Sequence, residues 1–168
     1  KEIEDFSIQI SNLIINLPIW KYSFYHIFLS IKSLNEVNTE PLLAILLGKD
    51  KNIAISKTNF EERTMSHILL QDNTVLKLNP QNIPEPINGV EISSKQIEVV
   101  FVPLMAFDKL GNRIGYGKGF YDIFLKRCSK NALKIGLSFF EAENFIIENN
   151  PHDVPLDYCI TPKQVYSF

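Results

Sequence analysis

Between Asp108 and Asp122 the chain reads Asp-Lys-Leu-Gly-Asn-Arg-Ile-Gly-Tyr-Gly-Lys-Gly-Phe-Tyr-Asp. Four of its seven glycines, Gly111, Gly115, Gly117 and Gly119, fall in this stretch, interleaved with the cations Arg113 and Lys118 and the aromatics Tyr116, Phe120 and Tyr121. Glycines this crowded serve a backbone that turns sharply or lies directly against something. With two cations beside them, that something is an anion, and a phosphate is the expected one.

The flanking segments say how such a loop is held. Ile97 to Pro103 is short, apolar and β-branched, which predicts a strand buried on both faces. After Gly119 the apolar residues Phe120, Phe124 and Cys128, with Tyr121 and Leu125 beside them, recur at helical spacing. The loop therefore joins a strand to a helix, and its last glycines sit where the first helical N–H groups have no intrahelical partner. Free amides, the positive end of the helix dipole and two cations together make an anion cradle.

Two familiar phosphate motifs are excluded. A P-loop would need a glycine where Asn112 stands and Ser or Thr where Gly119 stands. The dinucleotide fingerprint fails in both frames, with Phe120 or Asp122 at its third glycine.

The run from Val102 to Asp122 resembles the signature of the 5-formyltetrahydrofolate cyclo-ligase family, also called methenyltetrahydrofolate synthetase, and weaker similarity extends from about Phe24 to Thr161. The resemblance implies an ATP- and Mg²⁺-dependent ligase. It would cyclise 5-formyltetrahydrofolate, a reduced folate, to 5,10-methenyltetrahydrofolate through a phosphorylated formyl group. It further implies that Arg113 and Lys118 hold phosphate oxygens during catalysis. Gly115, Gly117, Gly119, Phe120 and Tyr121 would complete the nucleotide site. Leu29, Glu36, Met65, Tyr116 and Phe120 would bind folate. Asp122 and Asp157 would contact the metal, with Asp153 competing for the second place. Departures from the pattern are Ser56 where relatives usually have proline, Tyr116 where some have arginine, and Phe120 where many have tyrosine. The family's basic N-terminal motif has no secure match here. The missing basic motif and Phe120 suggest the alternative, a non-catalytic relative that binds folate or nucleotide.

Other readings of the residues stand beside the resemblance. Glu36 lies shortly before an apolar run, and its charge alone would favour a helix N-terminus. As a folate ligand it would accept two parallel hydrogen bonds from an amino-pyrimidinone edge. His26 has no acidic or cysteine neighbour in sequence and reads as a structural histidine, Trp20 as a core anchor, and Cys128 and Cys159 as buried thiols.

At 168 residues and 19.3 kDa the chain is expected to form a single domain over 1–168 that buries roughly 70% of its unfolded surface. A formal charge of -2 argues against nucleic acid as a partner. No apolar run reaches the ~18 residues of a membrane span, and no signal-peptide pattern opens the chain. Cytoplasm is the expected compartment, an organelle the alternative if a targeting segment precedes Lys1, and a monomer the expected state.

Periodicity predicts helices over 3–17, 41–47, 120–128 and 141–147 and strands over 24–29, 52–56, 65–70, 97–103 and 133–138, with a closing strand near Thr161. Alternating strands and helices imply an α/β three-layer sandwich, a mostly parallel central sheet with helices on both faces. In such sheets ligands bind beyond the strands' carboxyl ends, which is where Leu29, Glu36 and the glycine-rich loop fall.

Overall fold

A computed structural model describes residues 1–116, 119–145 and 153–168. The chain enters through helix α1 (Glu2–Ile15) and strand β1 (Phe24–His26), continues through helix α2 (Glu40–Gly48), and turns back through β2 (Asn52–Asn59) and β3 (Thr64–Leu69). Short strands β4 (Leu76–Leu78), β5 (Pro84–Pro86) and β6 (Glu91–Ile92) precede the central strand β7 (Val99–Pro103). Then come the hairpin β8 (Ala106–Phe107) and β9 (Arg113–Ile114), helix α3 (Phe120–Arg127), and strands β10 (Leu133–Leu137), β11 (Tyr158–Ile160) and β12 (Val165–Ser167).

Eight strands form the main sheet in the order β12-β11-β10-β7-β1-β2-β3-β6. The five from β11 to β2 run parallel, and β12, β3 and β6 add antiparallel edges. β7 lies at the middle, and four of its five residues are buried, as its unbroken apolar run requires. Side chains alternate across the sheet. Tyr25, Ile27, Ile53 and Ile55 face α1 and α2, where Ile10, Ile14, Leu42 and Leu46 complete one core. Ala54, Val100 and Val102 face α3 and pack with Phe124 and Leu125 in a second. These layers are the three expected from the sequence.

Two expected elements differ. The strand from Phe24 ends at His26 because the backbone then leaves the sheet into a loop tied by side chains. Thr39 Oγ1 donates to the Phe28 carbonyl at 2.7 Å, and Ser30 Oγ to the Val37 carbonyl at 2.6 Å. The segment expected as a helix over 141–147 is not helical in its described part, 141–145. Its backbone is taken by the neighbouring hairpin, with Glu143 N–H donating to the Phe107 carbonyl and Lys109 N–H to the Glu143 carbonyl. The Glu141 carboxylate is held by Thr161, Gln164 and Tyr166, which anchors the segment beside β12. Ile146 and Ile147 lie outside the described residues.

Candidate active site

At the carboxyl ends of β1 and β7 a cavity of about 420 Å³ opens, within the range typical of small-molecule sites. On one side the loop after β1 supplies Leu29 and Glu36, and β3 supplies Met65. On the other the hairpin and its following loop supply Arg113, Gly115 and Tyr116. Gly119, Phe120, Tyr121 and Asp122, around the start of α3, close the wall. The glycine-rich loop is thus open to a hollow that also contains Glu36. Gly117 and Lys118 lie outside the described residues.

Glu36 is positioned by its own loop. The Ile31 N–H donates to its Oε2 at 2.7 Å, and α2 begins later, at Glu40, so Glu36 does not serve as a helix-terminal charge. Burial pushes its carboxyl up to about 7, against the smaller opposing effect of the Ile31 amide. Burial, and then the charge of Glu36, push the Tyr116 hydroxyl up to about 12. The same two causes raise Tyr121, with Arg113 pulling the other way. Glu36 and Tyr116, expected at the folate, and Tyr121 and Arg113, expected at the nucleotide, therefore share one field.

Arg113 is buried in β9, and its Nη2 donates to Asp122 Oδ1 at 2.6 Å. Asp122 Oδ1 also accepts from the Val154 N–H at 3.3 Å, which draws the closing segment onto α3. The guanidinium Nε has no hydrogen-bond partner among the described residues although it is buried. An orphaned cationic donor beside a cavity is costly unless a ligand oxygen satisfies it.

Gly119 is the residue before α3 and has φ 72°, a left-handed conformation that favours glycine. Gly119 has no side chain with which to cap α3, and among the described residues no side chain accepts from its first amides, which keep their donor capacity. A Cβ at Gly119 would meet nothing within 4 Å, so the glycine is required by backbone angle and not by packing. Gly111 differs. Its φ is 87°, and a Cβ would lie 3.0 Å from the Leu156 carbonyl and the Phe168 ring, which makes it a structural glycine under the closing segment.

The metal pair expected from the sequence is not brought together. Asp157 precedes β11 at the amino end of the sheet, where Oδ2 accepts from the Lys134 N–H at 2.8 Å and pairs with Lys134 Nζ at 3.3 Å. The parallel register of β10 and β11 fixes it there, at the opposite end of the strands from the cavity. Asp153 lines the cavity together with Asp122. Among the described residues no group of three or more metal-ligating side chains occurs. Two carboxylates suit Mg²⁺, which takes one or two and completes its shell with water and phosphate oxygens.

Several residues in or beneath the cavity wall carried no clear role in the sequence. Phe60 packs edge-on to Phe120 at 5.5 Å between ring centres. Pro84 lines the cavity because Glu85 accepts from the Thr58 N–H at 2.8 Å, pinning β5 to β2. The alternation of β3 carries Met65, His67 and Leu69 on one face, and that pattern could have flagged His67. His26, read as structural, meets Ser56 Oγ through Nε2 and lines the cavity. A neighbouring hollow of about 600 Å³ shares Glu36, Tyr116, Phe28 and Pro103 as a common wall.

The profile of the 5-formyltetrahydrofolate cyclo-ligase family matches residues 7–162, nearly the whole chain. The chain belongs to this family. It is 32% identical over 142 residues to the 5-formyltetrahydrofolate cyclo-ligase of Mus musculus, an alignment covering 78% of this chain and 69% of that protein. A match to the Mycoplasma genitalium cyclo-ligase is 45% identical over 74 residues, 44% of each chain. The NMR structure of Aquifex aeolicus 5,10-methenyltetrahydrofolate synthetase superposes with a TM-score of 0.83 at 28% identity, covering 99% of this chain and 82% of that one. The α/β sandwich is therefore the cyclo-ligase fold. Among the described residues no helix is long and apolar enough to cross a membrane.

Proposed function

We propose that the protein is a 5-formyltetrahydrofolate cyclo-ligase, converting 5-formyltetrahydrofolate to 5,10-methenyltetrahydrofolate with ATP and Mg²⁺. The observation that carries this reading is that Glu36, Arg113 and the glycine-rich loop open onto one hollow. The adjoining hollow gives room for two ligands side by side.

An amide-like formyl oxygen is a poor leaving group. Transfer of the γ-phosphoryl group of ATP to that oxygen would leave ADP, and N10 attack at the formyl carbon, with loss of its proton, would then release phosphate. The protein's share of such chemistry is positioning and charge neutralisation. Glu36, once ionised, accepts paired hydrogen bonds from the pterin's amino-pyrimidinone edge. Met65, Leu29 and the Phe120 and Tyr116 rings exclude water around it. Arg113, oriented by Asp122, turns its remaining donors to phosphate oxygens, and the amides after Gly119 add uncharged donors at the helix's positive end. Lys118 is assigned to the same anion on the sequence alone. Asp122 and Asp153 are the carboxylates suited to Mg²⁺, which supplies neutralisation of the phosphate charge.

The test is to mix the protein with 5-formyltetrahydrofolate, ATP and Mg²⁺ and follow the absorbance of the methenyl product. The expected result is product formation that requires both ATP and Mg²⁺. Binding of the folate without any ATP-dependent product would establish the non-catalytic alternative instead.

A further inference from the structure

Beneath the cavity three polar side chains from adjacent strands form a chain of their own. His26 ends β1, Ser56 lies in β2, and His67 is its direct cross-strand partner in β3. His26 Nε2 lies 2.8 Å from Ser56 Oγ, and Ser56 Oγ lies 3.3 Å from His67 Nδ1. Both rings are buried and held by Phe124, whose ring centre is 4.9 Å from His26 and 4.1 Å from His67. The far nitrogen of His67, Nε2, has no hydrogen-bond partner among the described residues. A buried nitrogen without a partner costs stability, so its retention calls for a reason.

Both rings are neutral near pH 7. Burial first, then neighbouring His67, hold His26 well below the ordinary histidine value, against a smaller opposing effect of the Phe101 backbone. Burial lowers His67 to about 4. A hydroxyl offers one hydrogen and two lone pairs, three hydrogen-bonding positions in all. His26 and His67 take one each. This holds whether the oxygen donates to one ring and accepts from the other, or accepts from both. One position is left, and Ser56 and His26 both line the cavity while His67 does not.

We infer that Ser56 is a ligand-positioning residue whose hydroxyl, fixed in direction by the two histidines, gives its third hydrogen-bonding position to a polar ring group of the bound folate. The inference rests on the folate reading of the cavity. A hydroxyl already anchored on two sides has little orientational freedom left to lose when the ligand arrives. The histidines act through it and need not touch the ligand.

The experiment measures 5-formyltetrahydrofolate binding to the intact chain by calorimetry for wild type, Ser56→Ala and Ser56→Thr. The expected result is affinity weakened about five- to tenfold in Ser56→Ala, the loss of one neutral hydrogen bond, and recovered in Ser56→Thr, which keeps the hydroxyl. A purely structural Ser56 would lower the melting temperature of Ser56→Ala and leave its affinity unchanged, and that result overturns the inference. Long-range ¹H–¹⁵N spectra give a readout that needs no variant, since the chain has three histidines. Adding the folate to wild type should move the His67 ring nitrogens, which the ligand reaches only through Ser56. Silent His67 resonances in a wild type that binds would also overturn it. A wild type that does not bind the folate at all refutes the cyclo-ligase reading, and the inference falls with it.

Discussion

Replacing Glu36 by glutamine should make the free protein more stable and its folate site worse. The side chain is buried, and its carboxyl is raised from 4.5 to about 7, chiefly by desolvation. A group whose folded value exceeds its unfolded one contributes nothing adverse below the unfolded value, where it is protonated in both states. It destabilises progressively as pH rises toward the folded value, and fully above it. At about 1.4 kcal/mol per pH unit, a rise from 4.5 to about 7 sets a ceiling of about 3 kcal/mol on that cost. Glutamine removes the charge and keeps an oxygen for the Ile31 amide. Allowing for partial hydration, about 1–2 kcal/mol of added stability, or a melting temperature higher by about 2–8 °C, is expected near pH 8. The gain should vanish near pH 4, the assay being denaturant unfolding of both proteins across that range. Folate affinity should fall by at least about tenfold, or about 1.4 kcal/mol, because glutamine offers one acceptor where the carboxylate offers two. A Glu36→Gln protein that is no more stable than wild type near pH 8, or that gains equally at every pH, would refute the argument.

The wild type's folate affinity should itself improve as pH rises through about 7, where Glu36 ionises, and a flat titration from pH 5 to 8 by calorimetry would contradict this. Arg113→Ala should lower kcat/KM at least about tenfold, with circular dichroism used to confirm the fold, because it removes the phosphate donors and strands Asp122. Asp153→Asn should raise the Mg²⁺ concentration needed for half-maximal activity, and Asp157→Asn should leave it unchanged while costing at most about 1 kcal/mol of stability from its partly exposed pair with Lys134. Gly111→Ala should destabilise by at least about 1–2 kcal/mol in thermal unfolding, from backbone angle and from crowding against Leu156 and Phe168.

Much of the layer structure could be read along the chain because burial periodicity is local. The β-branched run of β7, the helical spacing of α1 and α3, and the loop crowded with glycines each carry their signal within a few residues. The glycine-rich pattern pointed to Arg113 and the start of α3, and the family resemblance to Glu36 and Met65, all of which line the cavity. What it could not supply were distances between residues far apart in number. Asp157 and Asp153 differ by four positions and have the same chemistry. Only the register of β10 against β11 places one on Lys134 at the sheet's amino end and the other in the cavity. Glu141 to Phe145 had a helical pattern, but backbone bonds to Phe107 and Lys109 outweighed a weak local preference. His26, Ser56 and His67 looked unrelated because they sit on three separate strands, and pairing alone brings them into a hydrogen-bonded line. Local propensity, then, settled which elements form and where the anion-binding loop lies. Long-range strand pairing decided which side chains meet, since a contact between distant residues exists only once the chain between them has folded.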